Sequence, residues 1–288
     1  MREGAPVAGV SDTGAHVGRD APRLPRDAPP ACRDATPVAE GRIRMVTIPL
    51  AAGVGVLAGP WLRGLVFAHA VGWRQPLRQH CPACGTSVIP MTWRGLLAVA
   101  PLDGRCPTCR TPIGPVAGSV EILAALVLSM LAMRAPSGWV LAAWIWWALL
   151  GIALALIDTA VHRLPDPLTT AATGGVGLVL TAEAITSGEV DPLIRALACA
   201  AGLALVYLVA ILAPGGMGRG DGALAVSIGL LLGRISVPAV VLATVLTAGL
   251  AGAWTALGRI RGRLGGSDAV ALGPHMIIGA LVALLVNA

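Results

Sequence analysis

Eight apolar runs divide this chain between residues 46 and 286, and seven of them are eighteen residues or longer. They cover Val46–Val71, Val116–Met133, Gly138–Ile157, Leu168–Ile185, Leu193–Leu212, Ala223–Leu232, Val237–Leu257 and Ala269–Val286. A helix of about 20 mostly apolar residues crosses the hydrocarbon core of a bilayer. The expected fold class is therefore all-α, a polytopic membrane protein with about eight transmembrane helices. The first run is interrupted by Pro60 and Arg63, and the sixth is short enough to be a tilted or partly buried segment. Composition agrees. Only 12% of residues are charged, against about a quarter in a soluble domain. With 56% hydrophobic residues and a mean hydropathy of +0.77, the chain cannot cover its own surface with polar groups. The lipid bilayer is its first expected partner.

Residues 1–44 carry seven Arg and six acidic residues, with many Pro and Ala and no apolar periodicity. That composition reads as a disordered tail. Met45 opens the first apolar run, so translation starting at Met45 is a second reading of this end. The net charge of +6 is spread over loops and tail, with no dense basic block interleaved with aromatics. Nucleic-acid binding is not expected.

Between the first and second runs lies a polar stretch, residues 73–115, with two cysteine pairs. Cys81-Pro-Ala-Cys84 and Cys106-Pro-Thr-Cys109 are separated by 21 residues. Each Cys-x-x-Cys makes a tight knuckle that aims two thiolates at one point, and two knuckles supply a tetrahedral structural zinc site. Cys81, Cys84, Cys106 and Cys109 are the expected metal ligands of a small zinc-ribbon-like insertion. A closed four-thiolate site has no open coordination position, so its expected role is to fold this segment, which has too few apolar residues for a core of its own. Placing the insertion in the cytoplasm puts Arg74, Arg78, Arg94, Arg105, Arg110, Arg163, Arg219, Arg259, Arg261 and Arg263 inside, as the positive-inside rule favours. Arg42 and Arg44 fit that topology poorly, and a start at Met45 removes the conflict.

The same topology places two acidic residues at one membrane face. Asp158 ends the third run, and Asp221 stands before the sixth within Gly218-Arg219-Gly220-Asp221-Gly222. Acidic residues at the ends of apolar spans are functional candidates. Two neighbouring carboxylates share a proton, so one acts as base towards water and the other as acid towards a scissile amide. On topology alone the other reading, two ordinary charges at the interface, stays open.

Asp158 with Leu164-Pro165-Asp166 and Leu168-Thr169, and the later Gly218-Arg219-Gly220-Asp221, resemble the prepilin peptidases, or type IV leader peptidases. These are membrane aspartic proteases of the Gly-x-Gly-Asp class. The two cysteine pairs, Glu121 at the opening of the second span and Gly273-Pro274 before the last agree in order, so the resemblance covers about residues 46–288. It implies catalytic roles for Asp158 and Asp221. It implies a prepilin-like substrate with a short basic leader and an apolar helix, cut after a Gly at the cytoplasmic face. Members with the cysteine segment are often also N-methyltransferases, so S-adenosylmethionine is a further implied cofactor. The domains expected on this basis are a tail (1–44), a first transmembrane helix (45–72), a cytoplasmic zinc-binding domain (73–115) and a transmembrane peptidase domain (116–288). Two departures stand out. Ala223 occupies the position of a family Lys, and Gly64-Leu65-Val66-Phe67-Ala68 lacks the Ser and Asn common at the end of the first span.

Other polar residues receive plainer expectations. Asp166 belongs to a helix entry between two prolines, with a catalytic role in place of Asp158 as its alternative. His162 and Arg163 read as loop residues facing anionic headgroups. Glu121 reads as a first-turn acid favoured by the helix dipole. Glu183 is expected to be solvated near the outer interface, Trp147 to be packed, and His275 to be a hydrogen-bonded core histidine. Two functions compete with the peptidase: a scaffold protein for a pilus or secretion system, and a proton-coupled transporter using the two aspartates.

Overall fold

A computed structural model describes residues 35–73, 75–89, 95–213, 217–262 and 270–288, with side chains from residue 45 onward. The chain divides near Arg42 into two units, and the second, Ile43–Ala288, contains the helical bundle and the cysteine segment. Among the described residues eight helices occur in order: α1 (Ala35–His69), α2 (Ser119–Ala132), α3 (Gly138–Val161), α4 (Asp166–Ser187), α5 (Asp191–Leu212), α6 (Arg219–Gly233), α7 (Val237–Ile260) and α8 (Gly273–Asn287). No strand forms among the described residues; pairing is confined to two isolated bridges in the cysteine segment. The all-α expectation holds. Of the tail expected at 1–44, residues 1–34 lie outside the described residues, and α1 begins at Ala35.

The count of full spans is lower than expected. Among the described residues five segments are long and apolar enough to cross a membrane: Met45–His69, α3, α4, α5 and α7. The other three helices have 14 or 15 residues, roughly 21–23 Å at 1.5 Å per residue, short of a hydrocarbon core of about 30 Å. For α6 the reason is visible in its burial, because Leu224 and most residues from Ser227 to Gly233 lie inside the protein. It is an internal helix and does not need to face lipid over its whole length.

Local chemistry sets the helix ends. Ser137 and Ser236 cap α3 and α7 by accepting the N–H groups of Val140 and Ala239. Pro167, Pro192, Pro238 and Pro274 occupy the first turns of α4, α5, α7 and α8, where a missing N–H costs no hydrogen bond. Helix α3 is the centre of the bundle and packs against α2, α4, α6 and α8. Helices α5 and α6 approach through small residues four apart on each: a Cβ on Gly229 would meet Ala200 Cα at 2.6 Å, and one on Gly233 would meet Ala196 Cα at 3.0 Å. The outer faces of α5 and α7 expose Leu205, Val209, Val241 and Val245, as lipid-facing surfaces do.

At the end of the bundle where α3 begins and α6 finishes, one expectation is corrected. Glu183 is not solvated. It is buried and forms a two-pronged ion pair with Arg234 at 2.8 and 3.0 Å. Arg234 stands just past the C-terminus of α6, where a cation also meets unsatisfied helix carbonyls. A solvated position for Glu183 rests on hydropathy, which is blind to a partner 51 residues away.

Candidate active site

The cysteine segment is a short repeat folded back on itself. Residues 79–88 and 104–113 are offset by 25 and share Cys-Pro-x-Cys-x-Thr. In the first copy Cys81 N–H donates to Thr86 O and Gly85 N–H to Cys81 O; in the second Cys106 donates to Thr111 O and Arg110 to Cys106 O. Gly85 and Arg110 hold the same left-handed position, at φ 73° and 59°. The result is two knuckles of the same design facing one another. All four cysteines are free thiols, and their sulfurs lie within 4.8 Å of one another. Cys81 to Cys109 and Cys84 to Cys106 are each 3.6 Å. A tetrahedral ion with Zn–S bonds of about 2.3 Å sets its sulfurs roughly 3.8 Å apart, so this four-thiol set fits a structural zinc ion. Hydrogen bonding by the Thr111 hydroxyl and main chain pushes the Cys109 thiol down to about 6, towards the thiolate that a metal needs.

Residues 95–102 tie this segment to α1. Arg63, fully buried, donates from Nη1 to Pro101 O, from Nη2 to Leu102 O and from Nε to Glu121 Oε1 at 2.9 Å. Trp61 Nε1 reaches Leu96 O at 2.7 Å. Glu121 also accepts the Gly118 N–H in the first turn of α2. It is thus a first-turn acid and the partner of a buried cation.

The two aspartates are brought to one cavity. Asp158 lies in the last turn of α3 and Asp221 in the first turn of α6, and both line a cavity of about 400 Å³. Each has one oxygen fixed by a main-chain N–H. Gly273, at the N-terminus of α8, donates to Asp158 Oδ2 at 2.9 Å, and Gly218 donates to Asp221 Oδ2 at 3.1 Å. Oδ1 of each has no hydrogen-bond partner among the described residues.

Two glycines make this approach possible. A Cβ on Gly220 would lie 2.6 Å from Leu164 Cβ and 2.9 Å from Leu164 O; one on Gly273 would lie 2.9 Å from Asp158 Oδ2 and 3.1 Å from Leu164 Cδ2. Leu164 is therefore the wedge around which the loop after α3 and the starts of α6 and α8 converge. The glycines of the Gly-x-Gly-Asp stretch serve close packing here as well as chain turning.

Asp166, at the first residue of α4, also lines the cavity, as do Trp73, His162, Arg163 and Arg219. His162 and Arg163, expected as loop residues facing headgroups, both stand on the cavity wall as well. His162 closes α3 in the left-handed conformation at φ 49°, which turns the chain back across the helix end. Ala223, half-buried two residues after Asp221 in α6, is not part of the cavity lining. His275 Nδ1 donates to Ala271 O at 2.9 Å, and the ring packs near Trp254. It lines a neighbouring apolar cavity of about 630 Å³ that shares His162 with the first. Trp73 carries no distinguishing signal in sequence, since its place depends on how the chain leaves α1.

Comparison with known proteins agrees with this architecture in two blocks. Residues 141–257 match the type IV leader peptidase family, and residues 55–135 match the bacterial peptidase A24 N-terminal domain. The chain is similar to the prepilin leader peptidase/N-methyltransferase of Aeromonas hydrophila, 33% identical over 214 residues, which is 72% of this chain and 71% of that protein. The Burkholderia pseudomallei protein of the same description is 32% identical over 218 residues, 72% and 66% of the two chains. That of Pseudomonas aeruginosa is 29% identical over 209 residues, 71% and 70%. No solved structure matches. The identity and coverage of these relatives, together with the two matched blocks, place this chain in the type IV leader peptidase family.

Proposed function

We propose that this chain is a membrane aspartic endopeptidase that removes the leader of prepilin-like proteins at the cytoplasmic face of the bacterial inner membrane. The observation that carries this reading is one cavity holding two carboxylates, each with one oxygen fixed by a main-chain N–H and the other free of hydrogen bonds among the described residues. With one proton shared, the ionised carboxylate takes a proton from water as its oxygen attacks the scissile carbonyl carbon. The protonated carboxyl gives its proton to the carbonyl oxygen. Collapse of the tetrahedral intermediate breaks the C–N bond, the carboxyl that took a proton from water gives it to the leaving nitrogen, and the other carboxylate takes back the proton from the former carbonyl oxygen. Atoms and charge balance without a nucleophilic side chain.

Depth supports the peptidase over a coupled transporter. Asp158 lies about 13 Å along the axis from the midpoint of α3. Coupling sites of transporters lie near the bilayer midplane. The orientation rests on the arginines of the loops at the end that carries the cysteine segment. The cysteine cluster would hold a zinc ion that fixes residues 73–115 against α1 and takes no part in hydrolysis.

N-methylation by S-adenosylmethionine rests on the description of the relatives. Leu65, Val66, Phe67 and Ala68 are packed inside the protein, and a Cβ on Gly64 would lie within 3 Å of Ala98 and Ala100 main-chain atoms. That segment is therefore closed to a methyl donor. The deciding experiment mixes membranes containing the protein with a prepilin. Cleavage is expected from the natural chain and is expected to be lost in Asp158→Ala and in Asp221→Ala. Cleavage that survives both substitutions would overturn the aspartate mechanism, and no cleavage of a cognate prepilin by the natural chain would overturn the reading in favour of a scaffold role.

A further inference from the structure

The cavity of Asp158 and Asp221 also contains a cation with most of its hydrogen-bonding capacity unused. Arg163 lies in the loop between α3 and α4 and lines the cavity wall. A guanidinium has five N–H bonds. Among the described residues one is given to an acceptor: Nη1 donates to Gly72 O at 3.1 Å. Nε is shut off from water and has no acceptor, and no carboxylate among the described residues forms an ion pair with the group. The guanidinium is nonetheless held in one place, because its central carbon lies 5.1 Å over the ring of Trp73.

A buried donor without an acceptor carries a desolvation penalty, and such groups call for an explanation in a native structure. Here the missing acceptor has an obvious source. The cavity is where a polypeptide must lie if the two carboxylates act on it, and a polypeptide brings carbonyl oxygens. We propose that Arg163 is a substrate-binding residue whose unused N–H groups donate to a main-chain carbonyl oxygen of the polypeptide, beside the scissile bond. This rests on the peptidase reading of the same cavity.

A carbonyl fits better than a carboxylate. Asp158, Asp166 and Asp221 already line the cavity against the guanidiniums of Arg163 and Arg219. A further negative charge would add repulsion, whereas a carbonyl adds none. The ring stacked on Arg163 belongs to a side chain that is 70% exposed, so an incoming chain displaces Trp73 and reaches Nε without opening the core. Arg163 also places a cation on the wall of a site that has Ala at position 223.

The test uses the full chain in membranes with a prepilin-like peptide substrate. Arg163→Ala is expected to lower kcat/KM about tenfold to a hundredfold, the range of one hydrogen bond to a charged group. Added guanidinium ion is expected to restore part of that loss and to leave the natural chain unaffected. In the inactive Asp221→Asn background, Arg163→Ala is expected to weaken substrate binding by a similar factor. Should Arg163→Ala fail to fold, Arg163→Met, which keeps the aliphatic stem and removes every N–H, carries the same reading. Three results would overturn the inference. One is kcat/KM within twofold of the natural chain. Another is a loss that guanidinium does not restore and that leaves substrate affinity unchanged. The third is an effect that disappears when the acidic residues of the substrate are replaced by amides. Failure of the peptidase reading shows itself separately, as cleavage surviving Asp158→Ala and Asp221→Ala, and takes this inference with it.

Discussion

The main-chain N–H of Gly273 donates to Asp158 Oδ2 at 2.9 Å, joining residues 115 apart in sequence. The donor belongs to the first turn of α8, whose N–H groups have no partner within the helix. The helix end therefore supplies both a hydrogen bond and the positive end of a dipole to one carboxylate. It holds one oxygen and leaves the other to face the cavity.

Gly273→Ala tests that contact. The added methyl would lie 2.9 Å from the oxygen that Gly273 now binds, so Asp158 must turn or α8 must withdraw. Misplacement of a catalytic group by about 1 Å costs on the order of a hundredfold in rate. Prepilin cleavage is expected to lose about that factor in kcat, with KM nearly constant. A variant with unchanged kcat would show that the Gly273 contact does not set the position of Asp158.

Gly220→Ala acts on the other carboxylate through packing. Its methyl would meet Leu164 at both Cβ and the carbonyl oxygen. Trimming Leu164 to Ala relieves neither clash, because the Cβ and the carbonyl oxygen both remain. Gly220→Ala is therefore expected to abolish most cleavage, and Leu164→Ala in the same chain is expected not to restore it. Restoration by the double substitution would show that Leu164 atoms beyond Cβ, and not its Cβ and carbonyl oxygen, oppose the added methyl.

The parts of this arrangement that the sequence discloses are those with local rules. Apolar run length marks the helices, and the Cys-Pro-x-Cys repeat marks the cluster, because four thiolates at knuckle spacing have few other uses. The resemblance singles out Asp158 and Asp221, and topology puts them at the same end. Hydropathy cannot separate a lipid-facing span from α6, which is short and enclosed by its neighbours. Nor can it find partners distant in sequence. Glu183 with Arg234, Arg63 with Glu121, and Arg163 with Trp73 each join two elements whose packing has to be known first. Polar residues in loops carry little periodic signal, which is why the cavity-lining places of His162 and Arg163 are not legible in sequence.

Arg63 and Glu121 give a prediction about stability. Arg63 is fully buried and ties the segment at residues 101–102 to α1, with Glu121 as its one acidic partner among the described residues. Removing one member of a buried pair costs about 3–5 kcal/mol, whereas replacing both by apolar groups costs far less. Glu121→Ala is expected to lower the thermal midpoint and to expose residues 95–102 to protease. Arg63→Met with Glu121→Leu is expected to recover most of the stability. Equal destabilisation in the single and double variants would mean that the carbonyl bonds of Arg63, not its charge pairing, hold the segment.

The cysteine cluster gives the last prediction. Its sulfurs are spaced for one tetrahedral ion, and the surrounding chain supplies little apolar core of its own. Purified protein is expected to contain about one zinc per chain, and cobalt in its place is expected to give the absorption of a tetrahedral thiolate site. Cys84→Ser and Cys109→Ser, each removing one ligand from a different knuckle, are expected to weaken metal retention and to loosen residues 75–89 and 104–113 to protease. Because Gly72 O binds Arg163 and Trp73 covers it, loosening this segment is expected to reach the cavity as well. Chelation should therefore lower prepilin cleavage partially, by raising KM more than it lowers kcat, since Asp158 and Asp221 are held by α3, α6 and α8 and not by the cysteines. Complete loss of kcat on chelation, with Asp158 and Asp221 intact, would instead make the metal a direct participant in hydrolysis.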